Sequence, residues 1–307
     1  MSLKNLLADD QLSSHQLLAL LQLAKKIKHS PNDYGQALAG KSIVTLFEKP
    51  SLRTHVSFDI GIQKLGGHAL YIGQQNGQLG ERERIQDLAK NLSCWADAIV
   101  ARVFKQESLI EMAEYASVPV INALSDVYHP CQALADFLTL SEHFSELSSV
   151  KLAYVGDGNN VANSLMLLAG VLGMQFTLLT PTGYGANAKV VAKTEQLMAV
   201  SGGSLRQIHQ LDQLAEQDAL YTDTWISMGD NTEVDEILTT FMPYQVNHAM
   251  MAKTGAKVVM HCQPAHLGQE ISTALFDSEL SLAFEQANNR LWAQNALLVT
   301  LLNPELS

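Results

Sequence analysis

The sequence predicts an α/β protein made of two doubly wound parallel-sheet domains joined by a helix. Three observations predict it. Short β-branched and aromatic runs alternate with helix-length amphipathic stretches along most of the chain, the pattern of parallel strands with crossover helices. The alternation breaks once, at a polar, serine-rich segment at 145–149, and then restarts. The length of 307 residues exceeds what one hydrophobic core usually organises.

Each element has a local reason. Ser13 caps a first helix whose apolar positions Leu17, Leu20, Leu21, Ala24 and Ile27 follow helical spacing. A strand is expected at 43–47, then a helix at 51–65 that Gly66-Gly67 stops. Strands follow at 68–72, 98–103 and 118–121, with helices at 85–95, 107–116 and 132–143. After the boundary come a strand at 152–155, the turn Gly156-Asp157-Gly158 and a helix at 161–172. A strand at 176–179, a helix at 189–199 and strands at 219–222 and 258–260 complete the second half. The expected domains are 1–144 and 145–285, with a C-terminal helix within 286–307 packing back on the first. Ligands are expected at the carboxyl ends of the strands, in the cleft between the halves.

Composition narrows the function. Hydrophobic residues at 47% supply ample core and exclude a disordered chain. Twenty Lys and Arg against 31 Asp and Glu leave a net charge of −11, which argues against nucleic-acid binding. An anionic substrate would need the few arginines concentrated at its site. The N-terminus has no signal-peptide pattern, and no apolar run reaches the ~18 residues of a membrane span. Cys94, Cys131 and Cys262 match no zinc spacing and suit a reducing cytoplasm.

Four clusters follow predicted strands. In Pro50-Ser51-Leu52-Arg53-Thr54, a helix start brings free amides, two hydroxyls and a guanidinium together, as an anion cradle or as a capped helix with a surface arginine. Arg102 ends an apolar strand and needs a partner, either a structural acid or a bound anion. His129 and Gln132 in His129-Pro130-Cys131-Gln132 flank a helix start and can donate to a carbonyl oxygen. In His261-Cys262-Gln263-Pro264, adjacent strand residues point to opposite faces, so His261 is poorly placed to activate Cys262. The Gly156-Asp157-Gly158-Asn159-Asn160 turn lacks the third glycine and the acidic residue of a dinucleotide fingerprint. It suits a small carboxylate instead.

Together these clusters resemble the aspartate/ornithine transcarbamylase family, most closely its ornithine-specific members. Ser51-Leu52-Arg53-Thr54 resembles the family's S-T-R-T, and His129-Pro130-Cys131-Gln132 matches H-P-C-Q. Asp223-Thr224-Trp225-Ile226-Ser227-Met228-Gly229 resembles D-x-W-x-S-M-G, His261-Cys262-Gln263-Pro264 resembles H-C-L-P, and Asn289-Arg290 stands near the last helix. Leu52, Gln263 and Leu267 depart from the usual Thr, Leu and Arg.

The resemblance implies carbamoyl transfer from carbamoyl phosphate to the δ-amine of L-ornithine, with no metal or organic cofactor. It implies that Ser51, Leu52, Arg53, Thr54 and Arg102 hold carbamoyl phosphate, and that Arg102, His129 and Gln132 polarise its carbonyl. Gln78 would reach a neighbouring subunit's site, in a homotrimer or a multiple of trimers. Asn160, Asp223, Ser227 and Met228 would hold ornithine. Cys262, Gln263 through its carbonyl, and Arg290 would line the junction of the two substrates. An acylated ornithine or putrescine as acceptor, a dehydrogenase and a non-catalytic paralogue are the rival readings. Asp223 speaks against the first pair, because it expects a free α-ammonium group.

Overall fold

The computed structural model describes residues 3–73, 79–225 and 234–306. The chain divides into two compact units, Met1–Leu138 with Asn288–Ser307, and Thr139–Ala287.

The first unit begins with α1 (Ser14–His29), where Ser13 and Gln16 form the predicted capping arrangement. It continues through β1 (Ser42–Phe47), α2 (Leu52–Lys64), β2 (His68–Ile72), α3 (Ile85–Trp95), β3 (Ala98–Arg102), α4 (Gln106–Tyr115), β4 (Val120–Leu124) and α5 (Pro130–His143). The four strands are all parallel, in the order β2-β1-β3-β4. Val44, Leu46, Ile99, Ala101, Leu109 and Met112 belong to one buried cluster beneath this sheet. Both β1 and β3 sit inside the sheet, which is why each reads as a nearly continuous apolar run.

The second unit contains β5 (Lys151–Val155), α6 (Asn160–Leu172), β6 (Gln175–Leu179), α7 (Ala188–Ser201), β7 (Ser204–Ile208), β8 (Ala219–Thr222), α8 (Val234–Phe241), α9 (His248–Thr254), β9 (Val258–His261) and α10 (Thr273–Phe276). Its five strands are parallel in the order β7-β6-β5-β8-β9. Ala153, Val155, Leu220, Val259, Ile271 and Leu275 pack into one core. The last helix, α11 (Ala283–Leu302), starts in this unit and ends in the first.

The two doubly wound parallel sheets are those the sequence predicts, with local differences. The fourth strand starts at Val120 rather than 118, because Pro119 has no N–H to give; its carbonyl accepts the amide of Ile99 at 2.9 Å. The fifth helix starts at Pro130, a favoured first position, rather than at 132. The final helix starts at Ala283, ahead of the predicted 286–307. β7, α8, α9 and α10 are not anticipated. β7 is an edge strand whose exposed Ser204, Arg206 and Gln207 hide its period.

Candidate active site

In the first unit, strand order makes the site. β1 and β3 are neighbours, and Phe47 pairs with Arg102 across them. The turn after β1 and the guanidinium ending β3 therefore leave the sheet at one level, where the crossovers diverge. Ser51 caps α2: its Oγ accepts the Thr54 amide at 3.4 Å and donates to Thr54 Oγ1 at 3.0 Å. The Leu52 side chain is 75% exposed, so only its main-chain amide is offered at the helix start. This is why leucine fits where the family usually has threonine.

Thr54 is buried, and its Oγ1 also accepts Arg290 Nη2 at 3.1 Å. Arg290 Nη1 donates to Gln132 Oε1 at 2.5 Å, and Gln132 Nε2 donates to Asp136 Oδ1 at 2.7 Å. Sequence positions 54, 132 and 290 thus meet through one guanidinium. One N–H of the Gln132 amide is committed to Asp136, which leaves the other for a ligand.

The charges in this corner repel one another. Arg102 is buried, and its Nε finds no acceptor among the described residues. Burial, then Arg290 and Arg53, hold its pKa down to about 10, still fully charged at neutral pH. Burial, then Arg290 and Arg102, push buried His129 well below the ordinary imidazole range, so it is neutral. Lys49 is lowered by burial and then by Arg102. In each case neighbouring guanidinium groups add to the burial penalty in the same direction, and a cluster of positive charge is a condition that favours an anion. Cys131 is no nucleophile: burial pushes its thiol up to about 12. Gln78 lies outside the described residues.

In the second unit the same logic applies at three adjacent strand ends. Val155 pairs with Thr222, and Thr222 with His261. The loops that start at Gly156, Asp223 and Cys262 therefore emerge side by side. Gly156 has φ +142°, and a Cβ on Gly158 would lie 2.3 Å from the Ala186 nitrogen, so both positions need glycine. The turn delivers Asn159 as the cap of α6; its Oδ1 accepts the amides of Val161 and Ala162 at 2.9 and 3.1 Å. Its Nδ2 donates to Asp223 Oδ2 at 2.9 Å.

Asp223 is buried, and its Oδ1 accepts the Thr224 amide at 2.8 Å and Cys262 Sγ at 2.9 Å. The Tyr154 hydroxyl donates to Asn159 Oδ1 at 3.3 Å. Burial, then Asp223, raises its pKa well above the usual phenol range, so it remains a donor. Asn160 is the first residue of α6 and is half-buried. Ser227 and Met228 lie outside the described residues.

Asp223, His261 and Cys262 offer ligand atoms within 4.8 Å of one another. His261 nevertheless has no lone pair for a metal. Its Nδ1 accepts the Gln263 amide at 2.9 Å, and its Nε2 faces Glu270 Oε1 at 3.0 Å. That geometry also ends the His261–Cys262 nucleophile reading.

Sequence reasoning placed Asn159 in the turn but missed its bond to Asp223, and it missed the role of Glu48. A helix-start asparagine after a glycine turn is a capping signal, and Asn159 is one. Buried Glu48 accepts the amides of Leu79 and Phe104 at 2.7 and 2.8 Å, and nothing in the sequence marks it. Among the described residues no helix is long and apolar enough to cross a membrane.

Residues 4–142 match the family model of the aspartate/ornithine carbamoyltransferase carbamoyl-P binding domain, and residues 148–301 match that of the Asp/Orn binding domain. The chain belongs to the aspartate/ornithine carbamoyltransferase family. An ornithine carbamoyltransferase of Shewanella oneidensis is 58% identical over 97% of this chain and 99% of its own length. The solved ornithine carbamoyltransferase of Pyrococcus furiosus is 42% identical with a TM-score of 0.94, over 98% of each chain. A solved N-acetyl-L-ornithine transcarbamylase is 32% identical with a TM-score of 0.88, covering 97% of this chain and 100% of that one.

For this carbamoyltransferase the arginine corner gives a direct test. An Arg102→Lys variant keeps the charge and loses the planar fork. A charged hydrogen bond contributes about 1.5–3 kcal/mol, so inorganic phosphate should bind the variant at least ~10-fold more weakly by calorimetry, with its melting temperature preserved. An unchanged dissociation constant would show Arg102 to be a structural residue only.

Proposed function

We propose that the chain transfers the carbamoyl group of carbamoyl phosphate to the δ-amine of L-ornithine, releasing L-citrulline and phosphate. The observation that carries this reading is the convergence of Arg290 and Arg102 on a neutral, buried His129, with Arg53 beside Arg102, within a chain of this family. Such a corner favours a multiply charged anion that also carries a carbonyl group. The name shared by the Shewanella and Pyrococcus relatives supports ornithine as acceptor.

In this reading Ser51, Arg53, Thr54, the Leu52 amide and Arg102 hold the phosphate, with Gln78 supplied by a neighbouring subunit. Arg102, His129, Gln132 and the Thr54 hydroxyl polarise the carbonyl. Thr54 Oγ1 already accepts two hydrogen bonds, which leaves its own proton to donate. Asp223 takes the α-ammonium of ornithine and Asn160 its carboxylate, with Ser227 and Met228 completing the pocket. Cys262, the Gln263 carbonyl and Arg290 contact the reacting groups.

The neutral δ-amine attacks the carbamoyl carbon and a C–N bond forms. The resulting oxyanion is met by donors already in place, each worth ~10²–10³ in rate. The bond from carbon to the phosphate oxygen then breaks, and the departing phosphate takes the amine proton. Covalent attachment to the enzyme has no part in this sequence. A cytoplasmic location belongs to the proposal and suits three free thiols.

The assembly we propose is a homotrimer or a multiple of it. The support is an exposed apolar stripe, Leu52, Val56 and Ile60 at four-residue spacing on α2, beside exposed Leu70 and Tyr71 on the edge strand β2.

Three outcomes are expected. Purified protein should form citrulline from ornithine far faster than it carbamoylates N-acetylornithine or putrescine. Equal turnover of N-acetylornithine would favour the acetylornithine reading and remove the role given to Asp223. At subsaturating ornithine the rate should rise from neutral to alkaline pH, because the amine's unperturbed pKa is about 10 and only its neutral form attacks. His129, with its pKa depressed, stays neutral over that range and adds no step; a step near pH 6.5 that vanishes in His129→Asn would contradict this. Finally, Arg53→Ala and Gln78→Ala chains should regain activity when unfolded, mixed and refolded, since a mixed trimer rebuilds one intact shared site. Confirmed mixed trimers that remain as inactive as their parents would place the whole site within one subunit.

A further inference from the structure

The loop that follows β9 carries Cys262 and the Gln263 carbonyl, the groups given to the reacting substrates above. Gln263 has φ +58° and is the only non-glycine residue with positive φ among the described residues. Glutamine has no intrinsic preference for that region, so the surroundings must impose it. They do so from inside the fold. The Gln263 amide donates to His261 Nδ1 at 2.9 Å, and the Gln263 side chain donates to the Ala283 carbonyl at 3.2 Å.

An imidazole nitrogen that accepts a hydrogen bond carries no proton. His261 must therefore be neutral and protonated at Nε2. That N–H meets Glu270 Oε1 at 3.0 Å, with both side chains fully buried. The same Oε1 accepts the His266 amide at 2.6 Å. Glu270 thus grips the 261–266 loop at both ends, through a side chain at the start and a backbone amide at the finish. The His261 amide is held separately by Gln286 Oε1 at 2.9 Å.

The geometry points to Glu270 as a positioning residue for the transfer reaction. It fixes the Nε2–H tautomer of His261, which holds Gln263 in its left-handed conformation and so aims Cys262 and the Gln263 carbonyl. The inference rests on the roles just proposed for those two groups. Its physical core is a matter of proton placement. Were His261 protonated at Nδ1, two N–H groups would oppose each other at Gln263 and the loop would lose its hold. The Cys262 thiol donates to Asp223 at 2.9 Å, so a shift of this loop also reaches the carboxylate expected to read the ornithine ammonium. A residue buried away from substrate can in this way govern turnover, since ~1 Å of misplacement costs about 10² in rate.

The test compares Glu270→Gln with Glu270→Leu. Glutamine keeps an acceptor for His261 and for the His266 amide, whereas leucine removes both. Glu270→Leu should lose about 10–100-fold in citrulline turnover and raise the KM for ornithine, with its melting curve still cooperative. Glu270→Gln should recover to within about threefold of the parent. In the parent, ¹⁵N spectra of histidine-labelled protein should show His261, assigned by loss of its signals in His261→Asn, as the Nε2–H tautomer. A folded Glu270→Leu enzyme at parental rate overturns the proposal, as does a Glu270→Gln variant as slow as Glu270→Leu. An Nδ1-protonated or doubly protonated His261 overturns it as well. Should Glu270→Leu fail to fold, the tautomer in the parent and the Glu270→Gln rate still decide. A parent that makes no citrulline would sink the proposed reaction while leaving the tautomer measurement to stand alone.

Discussion

Mutual repulsion among Arg53, Arg102 and Arg290 is the constraint around which the first unit is arranged. Burial of Arg102 removes water from its guanidinium, and Arg290 and then Arg53 add to the positive potential it feels. The scaffold fixes one of the three, Arg290, by neutral contacts. Arg290 is held by the hydroxyl of Thr54 and the carbonyl of Gln132, and Thr54 in turn by the Ser51 cap. The consequence for His129 follows from its own burial and then from the fields of Arg290 and Arg102. A histidine among arginines stays neutral, which lets it act as a hydrogen-bond donor that does not switch with pH near neutrality.

The second unit solves the opposite problem, a buried negative charge. Asp223 is stabilised by the Asn159 amide, by the Thr224 amide and by the Cys262 thiol. Asn159 serves two masters, since its oxygen caps α6 while its nitrogen orients the carboxylate. Helix capping and site geometry are therefore one interaction. Truncating Asn159 would loosen a helix start and release Asp223 at once.

Both units use the ends of adjacent parallel strands. Phe47 beside Arg102, and Val155 beside Thr222 beside His261, put loops distant in sequence at one level. Parallel strands all point the same way, so every chemistry-bearing loop leaves from one edge of its sheet. A single rigid ladder then positions several side chains together, and the loops need only short reaches to meet.

How much of this was legible before the structure depended on the range of the interaction. Local signals were readable. The Ser13 cap, the Gly66 stop, the apolar runs of β1 and β3, and the clusters at 51–54, 129–132 and 261–264 follow from residue type and spacing alone. They determined the fold class and the family. The edge strand β7 was not readable, because only its neighbour β6 makes its polar residues a strand. Nor was the partner of Arg290, which lies 236 residues from Thr54 and 158 from Gln132. Glu48, Asp136 and Glu270 look like ordinary acids in the sequence, and burial against amides and an imidazole is what gives them work. The sequence by itself determined which side chains were available at each strand end. Only the tertiary structure decided which of them meet and which nitrogen of His261 carries its proton, because strand order and burial are set by long-range packing that no local pattern encodes.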